Sequence, residues 1–243
     1  MPTPAASATR LAVARPAPPE EVAAIFVEPI QGEGGYVVPP AGFLPALRAL
    51  CDRHGILLVT DEVQSGFGRT GKMFASEHWG VEPDIVCMAK GIASGMPLGA
   101  IVAKRSVMDW PPGSHASTFG GNPVCCQAAL ATIELLQQQY MTNATERGEE
   151  LRAGLRQLGE DCPRLANVRG LGLMVAVDVV EPGASPVLDP HGRDAVIQAA
   201  FEKGLLLLGC GESGVRFCPP LCVTSEQVRT ALRLLRAALS GKA

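Results

Sequence analysis

Four short runs constrain this chain most: AAIFVEP (23–29), ILLVTDEV (56–63), DIVCMAK (84–90) and GAIVAK (99–104). Each is apolar nearly throughout. Strands of that kind need cover on both faces, which points to a largely parallel sheet clad in helices. Three of the runs end in a charged residue: Glu28, Asp61 and Lys90. Asp61 follows Glu28 by 33 residues and Lys90 follows Asp61 by 29. Each interval suits one βαβ unit, the second with an irregular, Gly-rich crossover.

Between the runs, helix signals are explicit. Phe43, Leu44, Leu47, Leu50 and Cys51 repeat at helical spacing, and Gly55 stops that helix. Asn122 and Pro123 read as the N-cap and first turn of a second helix, and Leu151, Leu155 and Leu158 suggest another. The texture then changes. Residues 171–180 read as a strand, 194–203 as a helix closed by Gly204, and 205–208 and 215–219 as short strands. Thr224 and Gln227 form a capping box for a last helix, whose apolar face carries Val228, Leu232, Leu235 and Leu239. The predicted organisation is an arm over 1–21, part of an α/β domain over 22–140, a helical connector over 141–164 and a small α+β domain over 165–243.

Composition narrows the function classes. Lys and Arg number 21 against 24 acids, a net charge of −3, with no basic run to favour nucleic acid or an anionic membrane. No stretch approaches the roughly 18 apolar residues of a membrane span. Eight cysteines include Cys87, Cys218 and Cys222 inside apolar runs. They read as reduced core thiols in a cytoplasmic protein. The four histidines lie far in sequence from Cys218 and Cys222, so no metal site is expected. The first 19 residues, rich in Ala and Pro and free of acids, lack the apolar core of a secretory signal. They read as an arm, with a transit peptide as the alternative.

Two near-motifs do not hold. Gly209-Cys-Gly211-Glu-Ser-Gly214 matches GxGxxG, but Pro219 and Pro220 follow where a dinucleotide site needs a helix. Gly66 to Lys72 approaches a P-loop, but Met73 stands where Ser or Thr would hold Mg²⁺.

In open α/β sheets, ligands bind beyond the carboxyl ends of the strands. Glu28, Asp61 and Lys90 sit at three such ends. A lysine opposite a carboxylate suits pyridoxal-phosphate chemistry, with the lysine bonded to the cofactor aldehyde and the carboxylate keeping the pyridine nitrogen protonated. The plainer alternative makes the acids helix caps and the lysine a solvated strand end.

The motifs VEPIQGEGGYVVPP (27–40), DEVQSGFGRTGK (61–72), AKGIASGMPLGA (89–100), STFGGNP (117–123) and VRFCPPL (215–221) resemble class III aminotransferases, fold-type-I pyridoxal-phosphate enzymes. The resemblance runs from about Val22 to Leu239. It implies a mostly parallel α/β sheet with a small C-terminal α+β domain, pyridoxal 5'-phosphate as cofactor, and transfer of an amino group from an amino acid to a 2-oxo acid. It implies that Lys90 is the Schiff-base lysine, Asp61 the pyridinium partner, Val63 the packing on the ring, and Gln64 the donor to the phenolic oxygen. Thr118, with Ser117 as helper, would reach the cofactor phosphate of a second subunit, hence a homodimer with shared sites. Arg216 would read the substrate carboxylate bidentately. Glu33 would pair with Arg216 when no carboxylate is there, and Glu28 would line the substrate side. Arg69 reads as a brace for its loop.

The family pattern also implies an N-terminal section ahead of these motifs, with a helix N-terminus for the phosphate and an aromatic on the ring. No candidate for either precedes Val22. The sequence thus reads as roughly the second half of a family member, for which a separate N-terminal polypeptide is a candidate partner. Two further readings stay open. One is a racemase or decarboxylase on the same scaffold. The other is a catalytically silent remnant serving as a dimerisation or binding module.

Overall fold

The computed structural model describes residues 17–183 and 187–240. Most of the expected arm lies outside those residues; within them, Pro19–Glu21 form one 3-10 turn. The fold is α/β with two sheets. No helix among the described residues is long and apolar enough to cross a membrane.

The first sheet has the order β1-β2-β3-β4. Strands β1 (Ala24–Val27), β2 (Leu57–Asp61) and β3 (Ile85–Met88) run parallel, and β4 (Ala100–Ala103) returns antiparallel to β3. Helix α1 (Phe43–His54) makes the first crossover. It buries Leu44 and Cys51 against Ile56, Leu58 and Val81, and ends at Gly55 in the left-handed region with φ 67°. Asp84 ties this layer together. Its carboxylate accepts from Leu58 N at 2.8 Å, Arg48 Nη1 at 2.7 Å and Lys104 Nζ at 3.0 Å. Burial pushes the Asp84 carboxyl up, but the Leu58 N–H and the two cations outweigh it and hold it down at about 2.

The expected second and third helices are one continuous rod. Helix α2 (Pro123–Leu135) passes through a π turn (Leu136–Tyr140) into α3 (Met141–Asp161). Asn122 Oδ1 caps it, accepting from Val124 N at 2.9 Å and Cys125 N at 3.3 Å.

The second sheet, with the order β5-β6-β9-β8, is antiparallel. It comprises β5 (Leu165–Leu171), β6 (Met174–Glu181), β8 (Leu208–Cys210) and β9 (Gly214–Phe217), while β7 (Val187–Leu188) pairs with β6. Alternation between two buried faces explains why β6 is apolar but for Asp178 up to its final Glu181. Val175, Val177 and Val179 join the core with Leu151, Leu155 and Leu235, from α3 and α5 (Ser225–Ser240). Met174 and Ala176 face the other way, onto Ile30, Tyr36 and Ala75 from the loops of the first sheet. One strand therefore glues the two layers.

Several expectations shift. Strand β5 was not anticipated, because Asn167 (φ 52°), Gly170 (φ 127°) and a bulge between Ala166 and Arg169 break its pattern. The strand expected at 205–208 starts at Leu208, since Leu205 and Leu207 pack into the core instead. Helix α4 (Pro190–Glu202) opens four residues early, capped by Asp189 Oδ1 on Gly192 N at 2.7 Å. All eight cysteines are free, but Cys218 and Cys222 are exposed rather than core residues. Strand β9 ends at Phe217, and Pro219–Pro220 carry the chain off the sheet.

Candidate active site

Parallel pairing puts the carboxyl ends of β1, β2 and β3 on one side, with Val27 beside Thr60 and Asp61 beside Cys87. Glu28, Asp61 and Lys90 therefore converge, and they feel one another's charge. Burial raises the Glu28 carboxyl above its ordinary range. The Gly32 N–H at 3.2 Å opposes that rise, Asp61 adds to it, and Lys90 offsets part of it. Glu28 thus also braces the QGEGG loop. Asp61 is oriented by its own turn, Oδ1 accepting from Val63 N at 3.0 Å. Lys90 opens a 3-10 turn (Lys90–Ala93) with φ 44°, in the left-handed region. For a residue with a Cβ that strain is about 1–3 kcal/mol, typical of a position fixed by function.

The loop after Asp61 hangs on Glu62, whose role was not legible in the sequence. Its side chain is buried, with the residue 1% exposed. It accepts from Ser65 Oγ at 2.5 Å, Ala75 N at 3.0 Å and Ser76 N at 2.9 Å. This clamp holds the turn that presents Val63 and Gln64. The only sequence signal was a second acid following Asp61.

The second sheet supplies Arg216 from β9. Its Nη1 donates to Glu33 Oε1 at 2.5 Å, the same oxygen that accepts from Gln64 Nε2 at 2.9 Å. The Arg216 contact, then Gln64, hold the Glu33 carboxyl below its ordinary range. The Arg216 guanidinium also lies 6.0 Å from the centroid of the Tyr36 ring. The β8–β9 turn donates Gly211 N to the Glu33 carbonyl at 2.8 Å.

Arg69 is the brace its motif suggested. Its Nη1 donates to Pro219 O at 2.6 Å and Leu173 O at 3.3 Å, while Leu173 N returns a bond to Arg69 O at 2.9 Å. Two glycines allow this docking. A Cβ on Gly148 would stand 1.9 Å from Gly172 O, and one on Gly172 (φ 52°) 2.7 Å from Arg69 O. Helix, hairpin turn and loop therefore touch backbone to backbone.

Lys90, Val63, Gln64 and Arg69 line one cavity of about 470 Å³ together with Tyr140, Cys218 and their neighbours. Asp61, Glu28, Glu33 and Arg216 are not among its lining residues. Ser117 and Thr118 are exposed on the loop after β4 and do not line that cavity; Ser117 Oγ accepts from Gly120 N at 3.1 Å. The two declined motifs behave as their context suggested. Gly209–Gly214 form the β8–β9 hairpin, and residues 66–72 are successive turns and bends that lead into a short 3-10 turn (Ala75–Trp79), not an α-helix.

The sequence matches the family described as aminotransferase class-III over residues 4–239. It is 42% identical over 223 residues to the 4-aminobutyrate aminotransferase GabT of Escherichia coli (strain K12), covering 90% of this chain and 52% of that protein. It is 43% identical over 225 residues to the alanine/serine racemase of Pyrococcus horikoshii, covering 91% of this chain and 47% of that protein. The fold superposes on the PLP-bound amine transaminase of an uncultivated Pseudomonas species with a TM-score of 0.84 and 36% identity, covering 97% of this chain and 55% of that one. The chain spans about half the length of the curated relatives it matches. With its strand-end lysine and acids and its Arg216–Glu33 pair, the chain belongs to the class III aminotransferase family.

Proposed function

We propose that this chain carries the cofactor lysine, the ring-nitrogen carboxylate and the carboxylate-reading arginine of a transaminase. The reaction moves an amino group from an amino acid to a 2-oxo acid. The observation that carries this reading is the convergence of Lys90, Asp61 and Glu28 at three strand ends, with Arg216 brought in from the second sheet to Glu33.

The residues fit pyridoxal 5'-phosphate. An amine lines a cavity for an aldehyde, an oriented carboxylate stands at the next strand end for a pyridinium, and an amide donor lines the same cavity. When bound, the cofactor supplies a ring that withdraws electrons from the substrate's α-carbon. Lys90 Nζ holds the cofactor and, once released, carries a proton at Nζ. Asp61 keeps a proton at the ring nitrogen. Val63 packs on the ring and Gln64 donates to its phenolic oxygen. Thr118 and Ser117 serve the phosphate across a homodimer, a role in keeping with their exposure outside the lining of the Lys90 cavity.

Arg216 binds a substrate carboxylate through both arms of its fork when Glu33 moves aside. Glu33 is the exposed partner, its side chain 70% exposed against 15% for Arg216, so Glu33 is the side chain free to swing. This exchange lets one site accept an ω-amino donor in one half-reaction and a 2-oxo acid in the other.

Racemisation or decarboxylation on the same scaffold is the second reading, favoured by the likeness to the alanine/serine racemase. Product analysis with one enantiomer, with and without a 2-oxo acid acceptor, separates the two. The primary test is borohydride reduction of the chain with pyridoxal phosphate, alone and with the N-terminal half of a relative added, followed by peptide mapping. The pyridoxyl group is expected on Lys90. A label on Lys72 or Lys104 overturns the assignment, and absence of label under both conditions marks a silent binding module.

A further inference from the structure

The loop that carries Glu33 is strained. Gly35 (φ 126°) and Tyr36 (φ 53°) both have positive φ, the second with a bulky side chain. Gly32 O holds the loop from within, accepting from Gly35 N at 3.1 Å and Tyr36 N at 3.2 Å. Two bonds hold it from the second sheet. Gly211 N donates to Glu33 O at 2.8 Å, and Arg169 Nε donates to Gly35 O at 2.7 Å. Strain of this kind persists where the surroundings fix it.

Arg169 is itself fixed. Its Nη1 pairs with Asp178 Oδ2 at 2.8 Å, the two side chains 16% and 11% exposed, and donates to Asn167 O at 3.1 Å. Asn167 Nδ2 donates to the same Asp178 oxygen at 2.9 Å. Nη2 lies close against two glycines: a Cβ on Gly35 would stand 3.4 Å from it, and one on Gly214 3.2 Å. Across the sheet Arg169 pairs with Ala176, and Ala176 with Arg216. Paired residues share a face, so both arginines stand on the face toward the Glu33 loop, two strands or roughly 10 Å apart. Arg169 grips the backbone of that loop, while Arg216 pairs with its carboxylate and lies beside its Tyr36 ring.

We infer that Arg169, anchored by Asp178, is a positioning residue for the Arg216–Glu33 exchange. It fixes the backbone under Glu33, so that only the exposed side chain swings. It thereby sets how strongly this acid competes with a substrate carboxylate for Arg216. The inference rests on Arg216 as the reader of that carboxylate. A guanidinium suits the task because it serves the Gly35 carbonyl and the Asp178 carboxylate at once. A lysine has one nitrogen, so it can keep the charge beside Asp178 only by releasing the loop.

The test uses the full chain without added cofactor. Carbon-13 NMR follows the Glu33 carboxyl, which the Arg216 contact holds below its ordinary range. In Arg169→Lys its titration should move up toward that range. Asp178→Asn, which leaves the fork present but unanchored, should move it the same way by less. Leu165→Ala, a core lesion on the same strand, should leave it in place. Calorimetry with glutarate reads the consequence. Arg169→Lys should tighten binding about two- to fivefold, the worth of an exposed ion pair, and should add nothing in a Glu33→Gln background. Three results would overturn the positioning role: an unmoved Glu33 titration in Arg169→Lys, an equal shift from Leu165→Ala, or the same gain in both backgrounds. Glutarate binding that is absent even in Glu33→Gln, or that survives Arg216→Gln, overturns the carboxylate reading instead, and the Glu33 titration still decides the positioning.

Discussion

Replacing Glu62 by Gln keeps the side-chain shape but changes which atoms can accept. The carboxylate now accepts three bonds, two of them from the backbone N–H groups of Ala75 and Ser76. An amide offers one oxygen. If that oxygen serves Ser76 N, the new NH₂ group faces the Ala75 N–H, donor against donor. The Ser65 hydroxyl can rotate to accept from the amide, so one bond is recovered. The net loss is one bond to a charged acceptor plus one stranded buried donor, about 2–4 kcal/mol together. Glu62→Ala strands both backbone donors and should cost more, about 3–6 kcal/mol, a large fraction of a typical 5–15 kcal/mol stability. Urea unfolding should show a lower midpoint with an unchanged slope. Hydrogen exchange at Ala75 and Ser76 should accelerate in the Gln variant while β6 amides lose only the global difference. A Gln variant within about 0.5 kcal/mol of wild type, with both amides still protected, would refute the clamp.

Other perturbations follow from the same contacts. Asp84, with an 11% exposed side chain, is held down at about 2 against an ordinary 3.8, so its contribution is complete above about pH 4 and fades as pH falls toward 2. Asp84→Asn should therefore cost about 1–2 kcal/mol at pH 7 after allowance for solvent screening, with wild type and variant converging in acid melts; a pH-independent gap would contradict this. Gly148→Ala places a methyl group against Gly172 O, and should destabilise by about 2–4 kcal/mol in urea; unchanged stability would mean the helix can back away freely. Glu33→Gln should change stability by less than about 1 kcal/mol, because Glu33 is largely exposed, yet should tighten calorimetric binding of a dicarboxylate by freeing Arg216; weaker binding would show that Glu33 does not compete for the arginine.

The sequence made some of this legible because the signals were local. Strands β1 to β3 announce themselves by unbroken apolar runs, and Asn122 and Thr224 mark helix starts with the side chains that perform the capping. Strand ends then locate Glu28, Asp61 and Lys90 without any partner being known. What stayed hidden depends on contacts across long sequence separations. Arg216 and Glu33 are 183 residues apart, so only the family motifs could pair them. The importance of Glu62 lies in backbone donors 13 and 14 residues away, whose orientation no pattern announces. Cys218 and Cys222 look like core residues by their neighbours, and only the path of the Pro-Pro segment brings them to the surface. Strand β5 failed for the opposite reason: its bulge erases the alternation that identifies a strand.

The β8–β9 turn has a consequence for how this scaffold can vary. Val215 and Phe217 point into the helical core, so Arg216 between them points to the opposite face. Side chains alternate with period two, so one residue added or removed between Cys210 and Gly214 would turn a valine or phenylalanine toward Glu33 and drive the guanidinium among leucines. A two-residue change restores the facing but moves the arginine about 6.8 Å along the strand, at roughly 3.4 Å per residue. The turn also grips Glu33 through Gly211 N, so arginine and acid would be displaced from one another. Turn length therefore acts as a ratchet on this pocket. Single-residue changes are blocked, double ones reset the distance a carboxylate must span, and finer adjustment of substrate length has to come from side chains elsewhere on the wall.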